Sequence, residues 1–197
     1  MVNITIIGSG GREHAVSKAL LRSSINNNGK EVYENLVLNC ISSYENPGMK
    51  VCKTIIGDIM DNEFVVSSCK SLYTDIAFIG PEAPLGNGVV DALKENGIRC
   101  VGPTQKYAQI ETSKTFTRSL LLKSGLEGHN PKYISVKTHC NIYTLLNAVK
   151  FMAQLAQNSI NIVVKCDGLK GGKGVSIFDY EKMDDAIDHV TNLYQLG

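Results

Sequence analysis

Two glycine-rich segments of this 197-residue chain combine residue types that suit the binding of phosphate groups. The first, at residues 8–15, reads Gly-Ser-Gly-Gly-Arg-Glu-His-Ala and follows the β-branched stretch of residues 2–7. Apolar residues recur at helical spacing after it, which places the glycines at a predicted strand-to-helix turn. Such a turn brings backbone amides and the positive end of a helix dipole against a phosphoryl group, so it predicts a phosphate cradle.

The same turn departs from the fingerprint of dinucleotide-binding proteins. Glu13 occupies the third glycine position of G-x-G-x-x-G, and the apolar run at residues 36–41 is not followed directly by an acidic residue. The side chains of Arg12 and His14 suit a phosphorylated sugar better than a pyrophosphate pressed against glycine. A nicotinamide-dependent oxidoreductase is therefore disfavoured, and a glycine-rich turn that binds nothing stays open as an alternative.

The second glycine-rich segment, at residues 167–174, reads Asp-Gly-Leu-Lys-Gly-Gly-Lys-Gly. It is not a Walker A loop, because its glycine spacing differs and a strand rather than a helix is predicted to follow it. A glycine flap between two antiparallel strands can instead fold over the phosphates of a nucleotide, with amides and lysines as donors. Lys165, which alternates with Val163 on the preceding strand, would face that nucleotide; a solvated lysine is the alternative.

The first segment needs a sheet to position it. In residues 1–105 the predicted strands and helices alternate, which is typical of a parallel sheet with helices on its faces. Ligands of such sheets bind beyond the carboxyl ends of the strands, where residues 8–11 and 80–84 both fall. The predicted strands of this part are residues 2–7, 36–41, 75–79 and 98–101, and helices are predicted at residues 61–71 and 89–96.

Residues 106–197 show a different pattern, typical of a small α+β layer. Thr104 is predicted to cap a helix that runs to about Lys123. The further predicted elements are strands at residues 133–136, 160–166 and 174–178 and helices at residues 142–155 and 182–196. The predicted fold class is α/β, with a parallel-sheet, Rossmann-like domain at residues 1–105 followed by a small α+β subdomain at residues 106–197.

Composition narrows the possible partners. The formal net charge is +1 and no basic block stands out, so neither a nucleic-acid nor a membrane-surface partner is indicated. No signal peptide and no apolar run long enough to cross a bilayer is apparent, so a soluble, cytoplasmic protein is expected. The six cysteines form no C-x-x-C pair, which favours buried thiols, with zinc ligation and disulfides as alternatives.

Four sequence blocks, taken together, carry a family resemblance. They read GSGGREHA at residues 8–15, GPEAPL with GVVD at residues 80–91, GPT with ETSK at residues 102–114, and VVKCDGLKGGKGV at residues 163–175. Each block alone is weakly specific, but together they cover nearly the whole chain. In content and order they resemble the phosphoribosylamine–glycine ligase family, also called glycinamide ribonucleotide synthetases, which are ATP-grasp enzymes of purine biosynthesis.

The resemblance implies a ligase that joins glycine to 5-phosphoribosylamine and gives glycinamide ribonucleotide, while ATP becomes ADP and phosphate through a glycyl phosphate. The first domain would be the phosphoribosylamine-binding, pre-ATP-grasp N domain, and the second part of the ATP-grasp domain, with a linker helix and a mobile lid. The residues implied to hold phosphoribosylamine are Gly10, Gly11 and Arg12 at its phosphate and Glu82, Ala83 and Pro84 at its ribose. Those implied to hold ATP are Lys114, Lys165, Gly171, Gly172, Lys173 and Gly174.

Family members continue for about one or two further domains beyond the part that this chain resembles. The resemblance implies that this C-terminal ATP-grasp portion supplies the floor of the ATP site, the Mg²⁺ ligands and the glycine pocket. No catalytic residue and no metal ligand is therefore assigned within this chain, and the isolated chain is expected to bind phosphoribosyl phosphate weakly and without turnover. A non-catalytic phosphoribosyl- or nucleotide-binding protein, or a partner protein derived from such an enzyme, stays open as an alternative.

Overall fold

The computed structural model describes residues 2–23, 36–137, 141–168 and 173–196. The chain divides into two compact units, Met1–Thr112 and Ser113–Gly197. The division therefore falls at the end of a helix, a little after the boundary that the sequence predicts at residue 105. None of the helices within the described ranges is long and apolar enough to span a membrane.

The first unit contains a five-stranded, fully parallel sheet in the order β3-β2-β1-β4-β5. Its strands are β1 (Val2–Ile7), β2 (Leu36–Ser42), β3 (Lys53–Ile56), β4 (Ile76–Ile79) and β5 (Arg99–Val101). Its helices are α1 (Gly11–Ser23), α2 (Asn62–Ser71), α3 (Glu82–Gly86), α4 (Val89–Glu95) and α5 (Gln105–Thr112), and Pro47–Met49 form a single 3-10 turn. The predicted parallel sheet is confirmed. Because the chain runs from β1 to β2 on one side and later returns to β4 on the other, the loops after β1 and β4 border one crevice.

Apolar residues cover both faces of this sheet, as the mainly hydrophobic central strands of a parallel sheet require. Ile6 of β1 packs on one face with residues of α1, and Ile7 packs on the opposite face with residues of α2 and α4. Both side chains are completely buried. The position of the β1–α1 turn is thus fixed by a strand that is held from both sides.

The second unit contains a two-stranded antiparallel sheet that packs against two helices. Its elements are α6 (Lys114–Lys123), α7 (Ile142–Gln157), β6 (Ile162–Lys165), β7 (Val175–Phe178) and α8 (Met183–Leu196), with 3-10 turns at Glu127–His129 and Tyr180–Lys182. Met152 of α7, Ile162 of β6 and Ala186 of α8 form its buried core. Asp184 and Asp185 lie in the first turn of α8, where negative charge interacts favourably with the helix dipole.

Three details of the sequence prediction are wrong. The strand Lys53–Ile56 is missing from it, because this strand lies at the sheet edge and has mostly exposed side chains, so it lacks an apolar run. The single helix from Thr104 to Lys123 is in fact two helices, since Ser113 has extended backbone angles and its hydroxyl caps the second. The strand predicted at residues 133–136 is absent, and that segment belongs to no sheet in the part of the chain that the structure describes.

The expectation of buried thiols holds for Cys40, Cys52 and Cys69, which are buried and free; Cys100 and Cys166 are free and partly buried, and Cys140 lies outside the described residues. Burial raises the pKa of the Cys40 and Cys69 thiols to about 11. At pH 8 only roughly one in a thousand of these thiols is therefore ionised.

We accordingly expect iodoacetamide at pH 8 to leave Cys40 and Cys69 unmodified in the native chain, because the thiolate is the reacting form and both side chains are covered. Mass spectrometry of tryptic peptides after timed quenching measures this, with Cys166 as the partly exposed reference and the urea-unfolded chain as the fully reactive one. Modification of Cys40 or Cys69 at the rate of Cys166 would contradict the expectation.

Candidate functional site

The β1–α1 turn exposes backbone amides at the start of a helix. Gly8 leaves β1 with φ of +104°, a left-handed conformation that favours glycine, and α1 begins at Gly11. The carboxylate of Glu13, in the first turn of α1, accepts a hydrogen bond from the amide of Gly10. The first amides of a helix have no acceptor within the helix, and Gly10 has no side chain that could cap them. Gly11 and Arg12 are exposed at this helix start, and such a helix start suits the binding of an anion.

Glu13 also explains why the turn departs from the dinucleotide fingerprint. Its side chain is only 4% exposed and lies against the loop that follows β4. A Cβ atom on Gly80 would be 1.9 Å from Glu13 Oε1, and one on Gly8 would be 2.7 Å from the Cδ of Pro81. Glycines thus let the loops after β1 and β4 approach each other across a buried carboxylate, whose Oε1 has no hydrogen-bond partner among the described residues.

The loop after β2 holds the other side of the turn. The hydroxyl groups of Ser9 and Ser42 both donate to the carbonyl oxygen of Tyr44, at 3.1 Å and 2.6 Å. The side-chain amide of Asn46 donates to the carbonyl oxygen of Ser9. His14 is half-buried with its ring against Gly48, where an added Cβ would lie 2.4 Å from the ring. The imidazole of His14 therefore packs against this loop, whereas Arg12 extends into solvent.

Arg12 and Glu82 meet across the crevice between the β1 and β4 loops. Arg12 Nη2 lies 2.7 Å from Glu82 Oε2, with the two side chains 67% and 35% exposed. The hydrogen bond from Arg12 lowers the pKa of Glu82, and the same contact raises the pKa of Arg12. The two residues that the sequence assigns to the phosphate and the ribose therefore form an ion pair with each other.

The remaining residues of the predicted ribose contact differ in their surroundings. Ala83 is exposed, but Pro84 is buried, so its ring shapes α3 and does not reach the surface. A shallow, mainly apolar groove of about 300 Å³ adjoins Glu82. The residues that line this groove are Glu82, Leu85, Pro103, Tyr107, Ala108, Ile110, Glu111 and Thr112.

In the second unit, Asp167 binds the start of α6. Its Oδ1 accepts hydrogen bonds from the amides of Lys114 and Thr115, at 2.6 Å and 3.3 Å, and its Oδ2 accepts one from the hydroxyl of Ser113, at 3.0 Å. Lys114 Nζ donates to the carbonyl oxygen of Gly168 at 2.9 Å. The beginning of the glycine-rich segment is thus attached to the first turn of α6, and Lys114 lies beside it.

Several hydrogen bonds set the ionisation of Asp167. Its partial burial raises its pKa, but the bonds that favour the carboxylate outweigh this and hold the pKa below its ordinary value; the donors are Gly168, Ser113, Thr115 and Lys114. Asp167 is consequently an anion at neutral pH.

Lys165 lies on the solvent-exposed face of the two-stranded sheet. Val163 pairs with Ile177 and Lys165 with Val175, so these four side chains share one face, while Ile162 points to the core. All four are exposed. The sequence prediction that Lys165 alternates with Val163 on a strand is confirmed.

The glycine-rich segment itself is described only at its ends. Gly168 adopts a φ of +79°, and Lys173 and Gly174 lie directly before β7, with the carbonyl oxygen of Gly174 accepting a hydrogen bond from the amide of Cys166. Gly171 and Gly172 lie outside the described residues. Three described lysines belong to the predicted nucleotide site: Lys173 in the segment, Lys165 on β6 and Lys114 on α6. Their ammonium groups are hydrogen-bond donors of the kind that suits a polyphosphate.

Among the described residues, no group of three or more histidine, cysteine, aspartate or glutamate side chains is placed to hold a metal ion. The sequence does not predict two structural features of the site: the burial of Glu13 between the loops after β1 and β4, and the hydrogen bonds from the start of α6 to Asp167. In the sequence, Glu13 only marks the absence of the third glycine of the fingerprint, because its burial depends on the loop after β4. Asp167 caps a helix that begins more than fifty residues earlier in the chain, so no local pattern indicates it.

The first unit matches the model of a known protein family. The family model described as "Phosphoribosylglycinamide synthetase, N domain" matches residues 2–111. The chain is 38% identical over 178 residues to the curated phosphoribosylamine--glycine ligase of Methanobrevibacter smithii, which covers 89% of this chain and 36% of that protein. It spans 36% to 41% of the length of curated relatives of this kind.

Solved structures of the ATP-grasp family share the fold. The N5-carboxyaminoimidazole ribonucleotide synthetase of Thermotoga maritima matches with a TM-score of 0.64 and 19% identity, over 94% of this chain and 43% of that one. The N5-carboxyaminoimidazole synthetase of Staphylococcus aureus, solved with ADP, matches with a TM-score of 0.62 and 13% identity, over 95% of this chain and 43% of that one. The α/β class with a parallel sheet and ATP-grasp neighbours is thereby confirmed.

Proposed function

This chain belongs to the phosphoribosylglycinamide synthetase N-domain family, and on that premise we propose that it forms the sugar-phosphate-binding part of a phosphoribosylamine–glycine ligase. The curated relatives that carry this name are longer proteins. The proposed reaction of the whole protein is the ATP-dependent ligation of glycine to 5-phosphoribosylamine, a step of purine biosynthesis. A cytoplasmic location stays a prediction from the sequence.

One observation carries the proposal: α1 begins with the exposed residues Gly11 and Arg12, and the side chain of Arg12 pairs with Glu82 from the loop after β4. Amides at a helix start, together with a guanidinium group, suit a phosphate monoester. A carboxylate beside them suits the hydroxyl groups of a sugar, which donate hydrogen bonds to it. Donors for phosphate and an acceptor for hydroxyls thus stand side by side at the carboxyl ends of β1 and β4, where open α/β sheets bind ligands.

For the second unit we propose the role of an ATP-grasp lid. Lys114, Lys165 and Lys173 would neutralise phosphate charge, and the glycine-rich segment would supply amides. Val163, Val175 and Ile177, which are exposed around Lys165, would give the nucleotide an apolar surface. The Mg²⁺ ligands and the glycine pocket are assigned to the portion of the relatives that this chain does not cover.

The chemistry explains why binding residues suffice in this part of the enzyme. The glycine carboxylate takes the terminal phosphoryl group of ATP, which gives glycyl phosphate and ADP, and the amine of phosphoribosylamine then attacks its carbonyl carbon and expels phosphate. Such transfers depend mainly on positioning and on neutralisation of charge. Arg12, Gly11 and Glu82 would hold the amine-bearing sugar phosphate in a fixed orientation.

Replacing Arg12 by alanine tests the proposal. We expect Arg12→Ala to weaken the binding of ribose 5-phosphate, a stable stand-in for phosphoribosylamine, by at least about tenfold, because charge-assisted hydrogen bonds to the phosphate are lost. Isothermal titration calorimetry of the chain measures the dissociation constant. Arg22→Ala, which removes an equal charge at the other end of α1, is the matched control and should leave the affinity unchanged. Equal affinities of the Arg12 variant and the unmodified chain would contradict the proposal.

A further inference from the structure

Two consecutive residues of the second unit hold Lys114 at both of its ends. The backbone amide of Lys114 donates to Asp167 Oδ1 at 2.6 Å, and its ammonium nitrogen Nζ donates to the carbonyl oxygen of Gly168 at 2.9 Å. Lys114 is exposed, and a lysine has a flexible four-carbon stem, so its ammonium group would otherwise occupy many positions. The two hydrogen bonds restrict it to the beginning of the glycine-rich segment.

Asp167 also orders Gly168. The amide of Gly168 donates to the same Oδ1 at 3.0 Å, and Gly168 adopts a φ of +79°, a left-handed conformation that glycine takes without strain. One carboxylate oxygen therefore binds both the first amide of α6 and the amide of the residue that accepts the Lys114 ammonium. Removal of this oxygen weakens both attachments of Lys114.

The charge of Asp167 has an opposite effect to consider, because an anion beside a bound polyphosphate repels it. The carboxylate faces the positive end of the α6 dipole, and it accepts hydrogen bonds from Ser113, Lys114 and Thr115, which offset its charge. The carbonyl oxygen of Gly168 takes only one of the three donors of the Lys114 ammonium group. This arrangement favours positioning over repulsion.

We infer that Asp167 is a positioning residue for nucleotide phosphates, which acts through Lys114 and holds its ammonium group beside the glycine-rich segment, so that both meet the phosphates of one nucleotide. The inference rests on the proposed lid role of the second unit. No contact between Asp167 and the nucleotide is assigned. The role goes beyond the capping of α6, because it predicts a loss of nucleotide affinity that requires Lys114.

A double-mutant cycle between Asp167 and Lys114 tests this coupling, with the fluorescent trinitrophenyl derivative of ATP (TNP-ATP) titrated against the whole chain. We expect Lys114→Ala to weaken binding by about tenfold, since a charge-assisted hydrogen bond is lost. Asp167→Ala should weaken it by about fivefold, the equivalent of one ordinary hydrogen bond. The double variant should bind only as weakly as Lys114→Ala, because no Lys114 ammonium group is left to position.

Two further variants separate positioning from charge and from capping in general. Asparagine keeps an oxygen that accepts from helix amides, so Asp167→Asn should bind TNP-ATP within about twofold of the unmodified chain. Asp179→Ala is the matched control, because the side chain of Asp179 makes no capping hydrogen bond to the Tyr180–Lys182 turn. Its affinity should equal that of the unmodified chain.

The outcomes distinguish this inference from the proposed function. If Asp167→Asn and Asp167→Ala both bind TNP-ATP more tightly, repulsion dominates and the positioning role is wrong. It is also wrong if the losses of Asp167→Ala and Lys114→Ala multiply in the double variant. If the unmodified chain fails to bind TNP-ATP, or Lys114→Ala binds it equally well, the lid role itself fails. Circular dichroism melting curves of all variants show whether a lost affinity reflects unfolding.

Discussion

Replacing Gly80 by alanine should destabilise the first unit by about 1–3 kcal/mol, the usual cost of an extra methyl group in a packed site. The new Cβ would lie 1.9 Å from Oε1 of Glu13 and 2.4 Å from its Cδ and Cγ. These atoms cannot simply swing away, because the Glu13 side chain is buried and bound to the amide of Gly10. Either the loop after β4 moves outward or Glu13 leaves the turn.

The same change should weaken the binding of ribose 5-phosphate. Displacement of Glu13 frees the amide of Gly10 and disturbs the first turn of α1, and displacement of the β4 loop separates Glu82 from Arg12. Urea unfolding followed by circular dichroism measures the stability, and calorimetry measures the affinity.

Two further variants identify the cause. Gly11→Ala, at the first position of α1, is expected to leave the free energy of unfolding unchanged or slightly raised, because a Cβ there has no described atom within 4 Å apart from its chain neighbours and the backbone of its own helix. In the double variant Gly80→Ala with Glu13→Ala, the collision is removed, so the two substitutions should cost less together than the sum of their separate effects. Full additivity would show that Gly80 and Glu13 do not act on each other as the structure indicates.

Replacing Asp167 by alanine should destabilise the second unit by about 1–2 kcal/mol, the typical range for the loss of a helix N-cap. The variant loses the acceptor of the Lys114 and Thr115 amides and of the Ser113 hydroxyl. In this variant we expect the amides of α6 to exchange hydrogen faster than in the unmodified chain, and those of α7, which is not among the described hydrogen-bond partners of Asp167, to be unchanged. Hydrogen-exchange mass spectrometry of peptides from residues 114–123 and 142–157 measures this difference.

The stabilisation of the folded chain by the Asp167 carboxylate decreases at low pH, because the pKa of Asp167 is lowered by folding. The native pKa lies below the ordinary value of 3.8, so the unfolded chain binds the proton more readily than the folded chain. The stabilisation is therefore fully present above pH 3.8 and is lost as the pH falls through the native pKa. Asp167→Asn keeps one acceptor oxygen but lacks the charge. We expect the stability difference between the unmodified chain and Asp167→Asn to shrink as the pH falls from neutral through the native pKa of Asp167.

Asp179 provides a matched control for both measurements. It occupies the position before the Tyr180–Lys182 turn, but its side chain makes no capping hydrogen bond. Asp179→Asn should therefore have little effect on stability and on its pH dependence. An Asp167→Ala variant that behaves like Asp179→Asn would contradict the role of Asp167 as the cap of α6.

Local patterns determine much of the first unit. The β-branched run of residues 2–7, followed by glycines and then by helical spacing, is sufficient to predict β1, the turn and α1, because each depends on residues close in sequence. The alternation of strands and helices likewise indicates a parallel sheet. The edge strand β3 was missed since its exposed, mixed residues resemble a loop, and its identity comes only from pairing with β2.

The second unit shows where local patterns mislead. A helix through Ser113 is favoured by the sequence, yet the hydroxyl of Ser113 caps a new helix, and that helix start is completed by Asp167 from the glycine-rich segment. Residues 133–136 have β-branched and aromatic residues typical of a strand, but a strand needs a hydrogen-bonding partner, which they do not have in the described structure.

The sequence by itself thus determined the glycine-rich turn between β1 and α1, the parallel sheet that positions it, and the resemblance to a ligase family. Only the tertiary structure decided that Arg12 and Glu82 neutralise each other, that Glu13 separates the loops after β1 and β4, and that Asp167 caps α6. The contacts of Arg12 with Glu82 and of Asp167 with α6 join residues that are close in space and distant in the chain, whereas the hydrogen bond that the Gly10 amide donates to Glu13 is local. Their geometry depends on how parallel strands and loops come together, and no spacing along the sequence encodes that directly.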